Sequence, residues 1–269
     1  MRRSAAILLA LAFVSSADAA TFTTKAPYAL LIDESSGKTL FQKNANTAMW
    51  PASTTKILTA EILFNLLASG KLKLDDTFVI STHAAIEGNA QSGGSSMFAE
   101  AGSRVTINEL LQGLLVDSGN DAAIAVAEGV AGNERAFSTI MNAHARAIGM
   151  FHSHFTNPWG RPGNRVTPRD MARLAAYVIA TYPQYYKYFG ESEFTWRGVR
   201  QQNRNPLLAD GADGLKTGHL AASGYGLVAS AVVDGHRVIL VLNGLRSEKD
   251  RASEGLRFLD YCKMLIGGG

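Results

Sequence analysis

The chain has 269 residues, of which 46% are hydrophobic and 18% are charged, and its formal net charge is +3. This length and hydrophobic content suffice for one domain with a large core, and no internal repeat or low-complexity linker divides the chain. A net charge so close to zero argues against nucleic acid as a partner.

The first nineteen residues have the features of a secretory signal peptide. Arg2 and Arg3 precede an apolar run over residues 5–14, and small residues follow at the cleavage positions 17–19. The run is too short for a membrane anchor, which needs roughly 20 apolar residues. Cleavage after Ala19 removes two arginines and one aspartate, which leaves a net charge of +2 on residues 20–269. We therefore expect an exported protein with no transmembrane segment in its mature chain.

Strand patterns occur at both ends of the chain, with helical patterns between them. Residues 28–32 and 38–42 predict a first hairpin. Apolar residues then recur at helical spacing in five segments, namely 56–67, 107–115, 121–130, 134–148 and 167–182. The second hairpin joins residues 226–233 to 237–243 through Asp234-Gly235, a pair that suits a tight turn.

A last helix is predicted over residues 251–266. Leu256, Leu259, Cys262 and Leu265 fall on one face of this helix, which we expect to cover the sheet. Cys262 is the only cysteine, so it cannot form an internal disulfide, and we expect a buried structural thiol.

This order of elements predicts an α+β fold rather than alternating βαβ units. The strands of the two termini are expected to form one mainly antiparallel sheet that helices cover. Residues of about 54–182 are expected to form an inserted all-α lobe beside the sheet. A crevice between the sheet and this lobe is the natural place for a site.

Three short segments carry the functional information: Ser53-Thr-Thr-Lys56, Ser118-Gly-Asn120 and Lys216-Thr-Gly218. Each has an ordinary structural interpretation when taken alone, because serine and asparagine commonly cap helices and the third segment can simply begin a strand. Their order and local context match the S-x-x-K, S-x-N and K-T-G motifs of serine acyl-transfer enzymes. The three together therefore predict one active site.

The residue types suit nucleophilic catalysis. Ser53 and Lys56 are three residues apart at the start of a helix, so both side chains project from one face. Lysine can take the serine proton only when it is neutral, which requires its pKa to fall from ~10.4 toward ~7–8. Burial and the positive charge of Lys216 are expected to cause that fall, and the N-terminus of the helix adds positive potential beside Ser53.

The other two motifs are expected to bind substrate and relay protons. Ser118 is the candidate proton relay, and the amide of Asn120 is expected to hold a substrate carbonyl. Gly218 lets a substrate backbone lie against the strand, while Lys216 and Thr217 attract a terminal carboxylate. The backbone N–H groups of Ser53 and His219 are expected to form the oxyanion hole.

Longer stretches around the motifs extend the match over most of the chain, from about residue 27 to about residue 265. These stretches are Pro51–Lys56, Gly94–Phe98, Leu115–Ala123, Thr167–Leu174, Asp213–His219 and Gly224-Tyr225. Through them the chain resembles the low-molecular-weight penicillin-binding proteins that act as D-alanyl-D-alanine carboxypeptidases, the peptidase S11 family. The resemblance implies a fold like that of serine β-lactamases and transpeptidases, with residues 20–269 as the catalytic domain.

The resemblance also implies the substrate, a peptidoglycan stem peptide ending in D-Ala-D-Ala, and acylation of Ser53 by β-lactams. It implies an arginine that helps to bind the substrate carboxylate, for which Arg251 is the best match and Arg246 the alternative. Together with the signal peptide it places the protein in the periplasm. We expect neither a cofactor nor a metal.

Two features depart from the family pattern. Many members carry a second, β-rich domain and a C-terminal amphipathic helix that holds them on the membrane, whereas this sequence stops after the helix predicted over 251–266. Leu220 follows the K-T-G-H stretch, where the family often has threonine or another polar residue, and this can alter substrate preference.

Four alternatives stay open to different degrees. A DD-endopeptidase acting on cross-links would use the same residues. A class A β-lactamase would need an E-x-x-L-N pattern, which is absent between Asn120 and Lys216. A zinc carboxypeptidase is disfavoured because His152-Ser-His154 lacks the H-E-x-x-H pattern, and these histidines are expected to pack or hydrogen-bond in a loop. An inactive peptidoglycan-binding scaffold would not require all three motifs to be intact.

Overall fold

The computed structural model describes residues 22–89 and 94–267. The predicted signal peptide, residues 1–19, lies outside the described residues. The strands are β1 (Tyr28–Asp33), β2 (Lys38–Lys43), β3 (Thr77–Val79), β4 (Arg104–Thr106), β5 (Glu193–Trp196), β6 (Val199–Gln202), β7 (Ala212–Leu220), β8 (Gly224–Val233) and β9 (His236–Leu245). The helices are α1 (Lys56–Ala68), α2 (Thr82–Glu87), α3 (Ile107–Gln112), α4 (Asn120–Ala131), α5 (Glu134–Ile148), α6 (Pro168–Thr181), α7 (Pro183–Tyr186) and α8 (Glu248–Ile266).

The main sheet joins the two ends of the chain, as the sequence predicted. Its five strands are antiparallel and lie in the order β2-β1-β9-β8-β7. The N-terminal hairpin pairs with the C-terminal strands through β1 and β9, where Leu30 lies opposite Val241. The α+β fold is thereby confirmed, and β7 becomes an edge strand with one side free to face the helices.

Apolar side chains of the sheet alternate between two cores. In β9, Ile239 and Val241 belong to the core shared with the helices α1 to α7. Leu240 and Leu242 belong to a second core on the opposite face of the sheet, which α8 covers. Because successive side chains of a strand point to opposite faces, this alternation buries both faces of the sheet.

The closing helix buries only part of the face that the sequence predicted. α8 begins at Glu248, three residues earlier than expected, because Ser247 caps it by accepting a hydrogen bond from the backbone of Asp250. Cys262 is fully buried in the second core, as predicted. Leu256 and Leu265 are 37% and 43% exposed, so the expectation that the fold buries them is wrong. Leu259 is buried as predicted, and the buried face also includes Gly255 and Phe258.

α1 is the central helix of the helical region. Ten of its 13 residues are buried, including charged Glu61, so its apolar residues are not confined to one stripe. Glu61 accepts hydrogen bonds from His144 of α5 and from Tyr182 at the end of α6. These partners compensate the burial of its carboxylate and tie α1 to both neighbouring helices.

The helices α1 to α7 lie between residues 56 and 186, and the predicted lobe boundaries of about 54–182 stay a prediction. α3 ends at Gln112, where a π-helical turn over Gly113–Asp117 replaces the predicted continuation. Two small antiparallel strand pairs, β3–β4 and β5–β6, were not predicted. Within residues 22–89 and 94–267, no helix is both long enough and apolar enough to cross a membrane.

Candidate active site

Ser53 lies in a tight turn that is held between a loop and the edge strand. The turn is a single 3-10 turn over Ala52–Thr55 that runs directly into α1. Ala52 has a φ of +49°, a left-handed backbone conformation that is uncommon for a residue with a side chain. A Cβ at Gly160 would overlap the Ala52 carbonyl, and one at Gly218 would lie 2.8 Å from the carbonyl oxygen of Pro51. Only glycine at these two positions allows such close packing around the serine.

Lys56, the first residue of α1, holds its side chain against the serine. Its Nζ lies 3.1 Å from Ser53 Oγ, 2.6 Å from Asn120 Oδ1 and 3.2 Å from the carbonyl oxygen of Trp159. The residue is 0% exposed. Three oxygens therefore surround the nitrogen and fix it beside the candidate nucleophile.

The surroundings of Lys56 disfavour its charged form. Its pKa is lowered well below the ordinary value, first by burial and then by the positive charges of Lys216 and Arg204. Asp117 and Asp121 act in the opposite direction. The direction of the shift is the one that the sequence predicted, and Lys216 is one of its causes as expected.

Ser118 follows the π-helical turn at a strained position. Its φ is +73°, which is left-handed, and it is 3% exposed. Its hydroxyl oxygen is buried and has no hydrogen-bond partner among the residues that the structure describes. A serine hydroxyl held in this way is available to a substrate or to a bound water.

Asn120 begins α4, and the following residue organises the segment above it. The Asp121 carboxylate accepts hydrogen bonds from Ser96 Oγ at 2.8 Å, from the Met97 backbone at 3.0 Å and from the Ala99 backbone at 3.1 Å. The Asn120 backbone N–H donates to the Ser95 carbonyl at 2.8 Å. The Gly94–Phe98 stretch is therefore held against the S-x-N motif.

The third motif lies on β7, next to the Ser53 turn. Lys216 is 2% exposed, and burial together with the charge of Arg204 lowers its pKa to about 7. Its Nζ donates to the Thr217 carbonyl at 3.4 Å. Beyond Gly218, the ring of His219 stacks on Tyr225 of β8 with centroids 4.0 Å apart.

Arg251, rather than Arg246, faces this cleft. Arg251 is 6% exposed, its Nε is buried without a hydrogen-bond partner among the described residues, and its guanidinium lies 5.6 Å from the Tyr225 ring. Arg246 instead lines a neighbouring hollow. Burial lowers the pKa of Arg251, and Glu248 opposes that effect from 3.5 Å.

Several contributors carry no motif of their own and were missed in the sequence. Arg204 pairs with Asp117 at 2.9 Å and lines the cleft. The Trp159 indole N–H donates to Glu134 Oε2 at 3.0 Å, and Glu134 Oε1 lies 3.0 Å from His83 Nε2. These residues come from distant loops and helix ends, so only the fold brings them to the site.

A cleft of about 440 Å³ joins these groups. Its described lining contains one residue or more from each motif and the candidate carboxylate-binding arginine, namely Ser53, Ser118, Asn120, Thr217, Gly218, His219 and Arg251. Lys56 and Lys216 lie buried behind it. Among residues 22–89 and 94–267, no group of three or more His, Cys, Asp or Glu side chains is placed to hold a metal ion.

Comparison with known proteins is consistent with this geometry. Residues 14–246 match the peptidase S11 family, described as D-alanyl-D-alanine carboxypeptidase. The chain is 39% identical over 238 residues to the D-alanyl-D-alanine carboxypeptidase DacA of Escherichia coli K12, which covers 86% of this chain and 59% of the relative. The chain thus spans less than two thirds of that relative's length.

Solved structures give the same result. The crystal structure of the D-alanyl-D-alanine carboxypeptidase DacD from Francisella tularensis matches with a TM-score of 0.85 and 35% identity, over 90% of this chain and 71% of that one. The Streptomyces K15 DD-transpeptidase matches with a TM-score of 0.80 and 28% identity, over 89% of this chain and 97% of that one.

Proposed function

The chain belongs to peptidase S11, the D-alanyl-D-alanine carboxypeptidase family, and we propose that it is a serine DD-carboxypeptidase. It removes the terminal D-Ala from peptidoglycan stem peptides that end in D-Ala-D-Ala. The observation that carries this proposal is the pair formed by Ser53 and Lys56. A fully buried lysine with a lowered pKa lies 3.1 Å from a serine hydroxyl that opens onto a cleft.

Acylation begins with a proton transfer from Ser53 to neutral Lys56. Ser53 Oγ attacks the carbonyl carbon of the penultimate D-Ala, and the carbonyl oxygen becomes an oxyanion. The backbone N–H groups of Ser53 and His219 stabilise that oxyanion, and the packing of Gly218 against the serine turn brings the two segments together. The C–N bond then breaks, and the penultimate D-Ala remains as an ester on Ser53.

The departing nitrogen of the terminal D-Ala needs a proton. Ser118 passes to it the proton that Lys56 has taken, which leaves Lys56 neutral again. The buried Ser118 hydroxyl without a described partner supports this role. A water molecule then attacks the ester carbonyl and loses a proton to Lys56. The C–O bond to Ser53 breaks, Lys56 returns that proton to Ser53 Oγ, and the shortened peptide leaves.

Binding depends on the charge of the substrate terminus. Lys216, Thr217 and Arg251 bind the free carboxylate of the terminal D-Ala, and Asn120 holds a carbonyl of the peptide. Support comes from Arg251, which lines the cleft and whose buried Nε has no hydrogen-bond partner among the described residues, because such a donor gains from an anionic ligand. β-lactams acylate Ser53 by the same attack, and their ring-opened ester occupies the site.

The proposed peptidoglycan substrate and the predicted signal peptide support a periplasmic location. There it acts on stem peptides outside the inner membrane. A DD-endopeptidase activity on cross-linked peptides uses the same groups. Assays with linear and cross-linked peptides separate the carboxypeptidase from the endopeptidase activity.

The test is the release of D-Ala from an N-acylated tripeptide ending in D-Ala-D-Ala, with an L-Ala-L-Ala peptide as the control. We expect release from the first peptide only, and loss of release in Ser53→Ala. Failure to release D-Ala from the first peptide would contradict the proposal. Cleavage of a D-Ala cross-linked dimer without action on the tripeptide would assign an endopeptidase instead.

A further inference from the structure

A second hollow adjoins the catalytic cleft at the end of β7. It has a volume of about 780 Å³ and shares His219 and Tyr225 with the cleft. Its walls include Trp50, Arg165 and Arg246, together with the turn over residues 221–224. The stacked pair of His219 and Tyr225 thus stands between the two cavities and lines both of them.

The hollow is positively charged. Arg165 and Arg246 line it, and its described lining contains no Asp or Glu. Neither arginine forms an ion pair within the described part of the chain. Asp250, the acidic residue whose pKa Arg246 helps to lower, is already paired with Lys25 at 3.0 Å. Both guanidinium groups therefore have donors available to an anionic ligand.

One of these arginines is held in place beside an aromatic wall. The Arg165 guanidinium lies 4.6 Å from the centroid of the Trp50 ring, and its Nη1 donates to the Asn164 carbonyl at 3.0 Å. The Trp50 carbonyl in turn accepts from Asn243 Nδ2 at 3.0 Å. A guanidinium fixed over an aromatic ring loses little side-chain entropy when it binds a carboxylate.

The direction of the substrate leads into this hollow. In the proposed function, the terminal carboxylate lies at Lys216 and Thr217, and the reacting carbonyl lies at Ser53 and His219. Passing along β7 from Lys216 to His219 therefore means passing from the carboxyl end of the peptide toward its amino end. Residues that precede the D-Ala-D-Ala pair must continue beyond His219, where β7 ends and the hollow begins.

We propose that this hollow is a subsite for a carboxylate carried by the part of the substrate that precedes the terminal D-Ala-D-Ala. Arg165 and Arg246 are its anion-binding groups, and Trp50 supplies an apolar wall for the adjoining methylene groups. This inference rests on the proposed function, because it uses the direction in which the peptide lies along β7.

The test compares N-acetylated peptides that all end in D-Ala-D-Ala. The peptides are compared two at a time. One has Glu and the other has its uncharged isostere Gln at the same position, which is one of the two positions that precede D-Ala-D-Ala. At low ionic strength we expect the wild-type protein to favour the Glu peptide by about two- to five-fold in kcat/KM, as for a partly exposed ion pair. The preference should shrink as salt is added.

Arg165→Gln and Arg246→Gln should each bring the ratio of kcat/KM for the Glu and Gln peptides closer to one. Turnover of the Gln peptide should be retained. Arg146→Gln removes the same charge from an exposed position at the end of α5 and should leave the preference unchanged. Equal turnover of Glu and Gln peptides by the wild-type protein would overturn the subsite and leave the proposed function intact. A preference for the Glu peptide that survives in both arginine variants would also overturn the subsite and leave the proposed function intact. If the wild-type protein turns over neither peptide, both the proposed function and this inference are overturned.

Discussion

Lys56 Nζ lies 2.6 Å from Asn120 Oδ1, a contact that joins the first residues of α1 and α4 across 64 positions of the chain. The contact orients the Asn120 amide, because its oxygen faces the lysine and its nitrogen faces the other way. That nitrogen packs so close to Gly94 that a Cβ there would overlap it. The first two motifs are therefore in direct contact, and a displacement of the lysine disturbs the asparagine.

Lys56→Arg tests the role of Lys56 as the general base. Arginine stays protonated near neutral pH and therefore cannot accept the Ser53 proton. We expect the acylation rate constant for penicillin to fall by about 10²–10⁴-fold, the usual contribution of general-base catalysis. Stopped-flow or fluorescent-penicillin measurements give that rate. Lys71→Arg, at an exposed position after α1, should acylate normally, and near-normal acylation in Lys56→Arg would assign the base elsewhere.

The Trp159–Glu134 contact provides a test of positioning rather than of direct catalysis. Glu134→Ala removes the acceptor of the Trp159 indole N–H, so the loop that presents the Trp159 carbonyl to Lys56 becomes less constrained. We expect acylation to slow by about 10-fold, because a small displacement of a catalytic group is costly. Glu134→Gln retains an acceptor oxygen and should restore most of the rate. Equal rates in the Ala variant and the wild type would show that this contact is only structural.

The role of Arg251 is tested with two substrates that differ only at their C-terminus. Arg251→Ala should reduce kcat/KM for a free-acid D-Ala-D-Ala peptide by about 10- to 100-fold, the effect of losing a charged hydrogen bond in a buried site. The corresponding C-terminal amide should already be a poor substrate, and Arg251→Ala should change its kcat/KM little. Equal losses of kcat/KM on both peptides would assign Arg251 a structural role. Arg246→Ala is the matched control, because Arg246 is the alternative candidate for binding the carboxylate.

The burial of Lys216 has a consequence for stability. Its folded pKa is about 7, whereas the unfolded value is near 10.5, so between these values only the unfolded chain holds the proton. This residue therefore disfavours folding at neutral pH, and the cost disappears as the pH rises toward 10. We expect Lys216→Met to raise the Tm at pH 7 by at least about 2 °C, with a smaller difference at pH 9.5. A lower Tm at pH 7, or a difference that grows with pH, would contradict this expectation.

Much of the site could be predicted from the sequence because local patterns determine it. The spacing of Ser53 and Lys56 places both on one helix face, and the turn at Asp234-Gly235 pairs β8 with β9 as expected. The termini meet in the sheet because both hairpins have one face to bury against the same helices. These features depend on neighbours in sequence and on burial alone.

The remainder depends on contacts between distant segments. Trp159, Glu134 and Arg204 carry no local signal, since a tryptophan in a loop or an arginine before a strand occurs in many chains. The buried face of α8 was misjudged because Leu256 and Leu265 suggested a wider apolar stripe than the sheet covers. The π-helical turn before Ser118 likewise has no apolar signature that separates it from a continuing α-helix.

The central claim is that Ser53 forms an acyl-enzyme, and peptide mapping by mass spectrometry tests it most directly. After incubation with penicillin and proteolysis, we expect the peptide that contains Ser53 to gain the mass of one intact penicillin. Ser53→Ala should show no adduct at any position, while Ser69→Ala, which changes a serine just after α1, should be labelled as in the wild type. An adduct that persists in Ser53→Ala, or that maps to a different serine in the wild-type protein, would contradict this account.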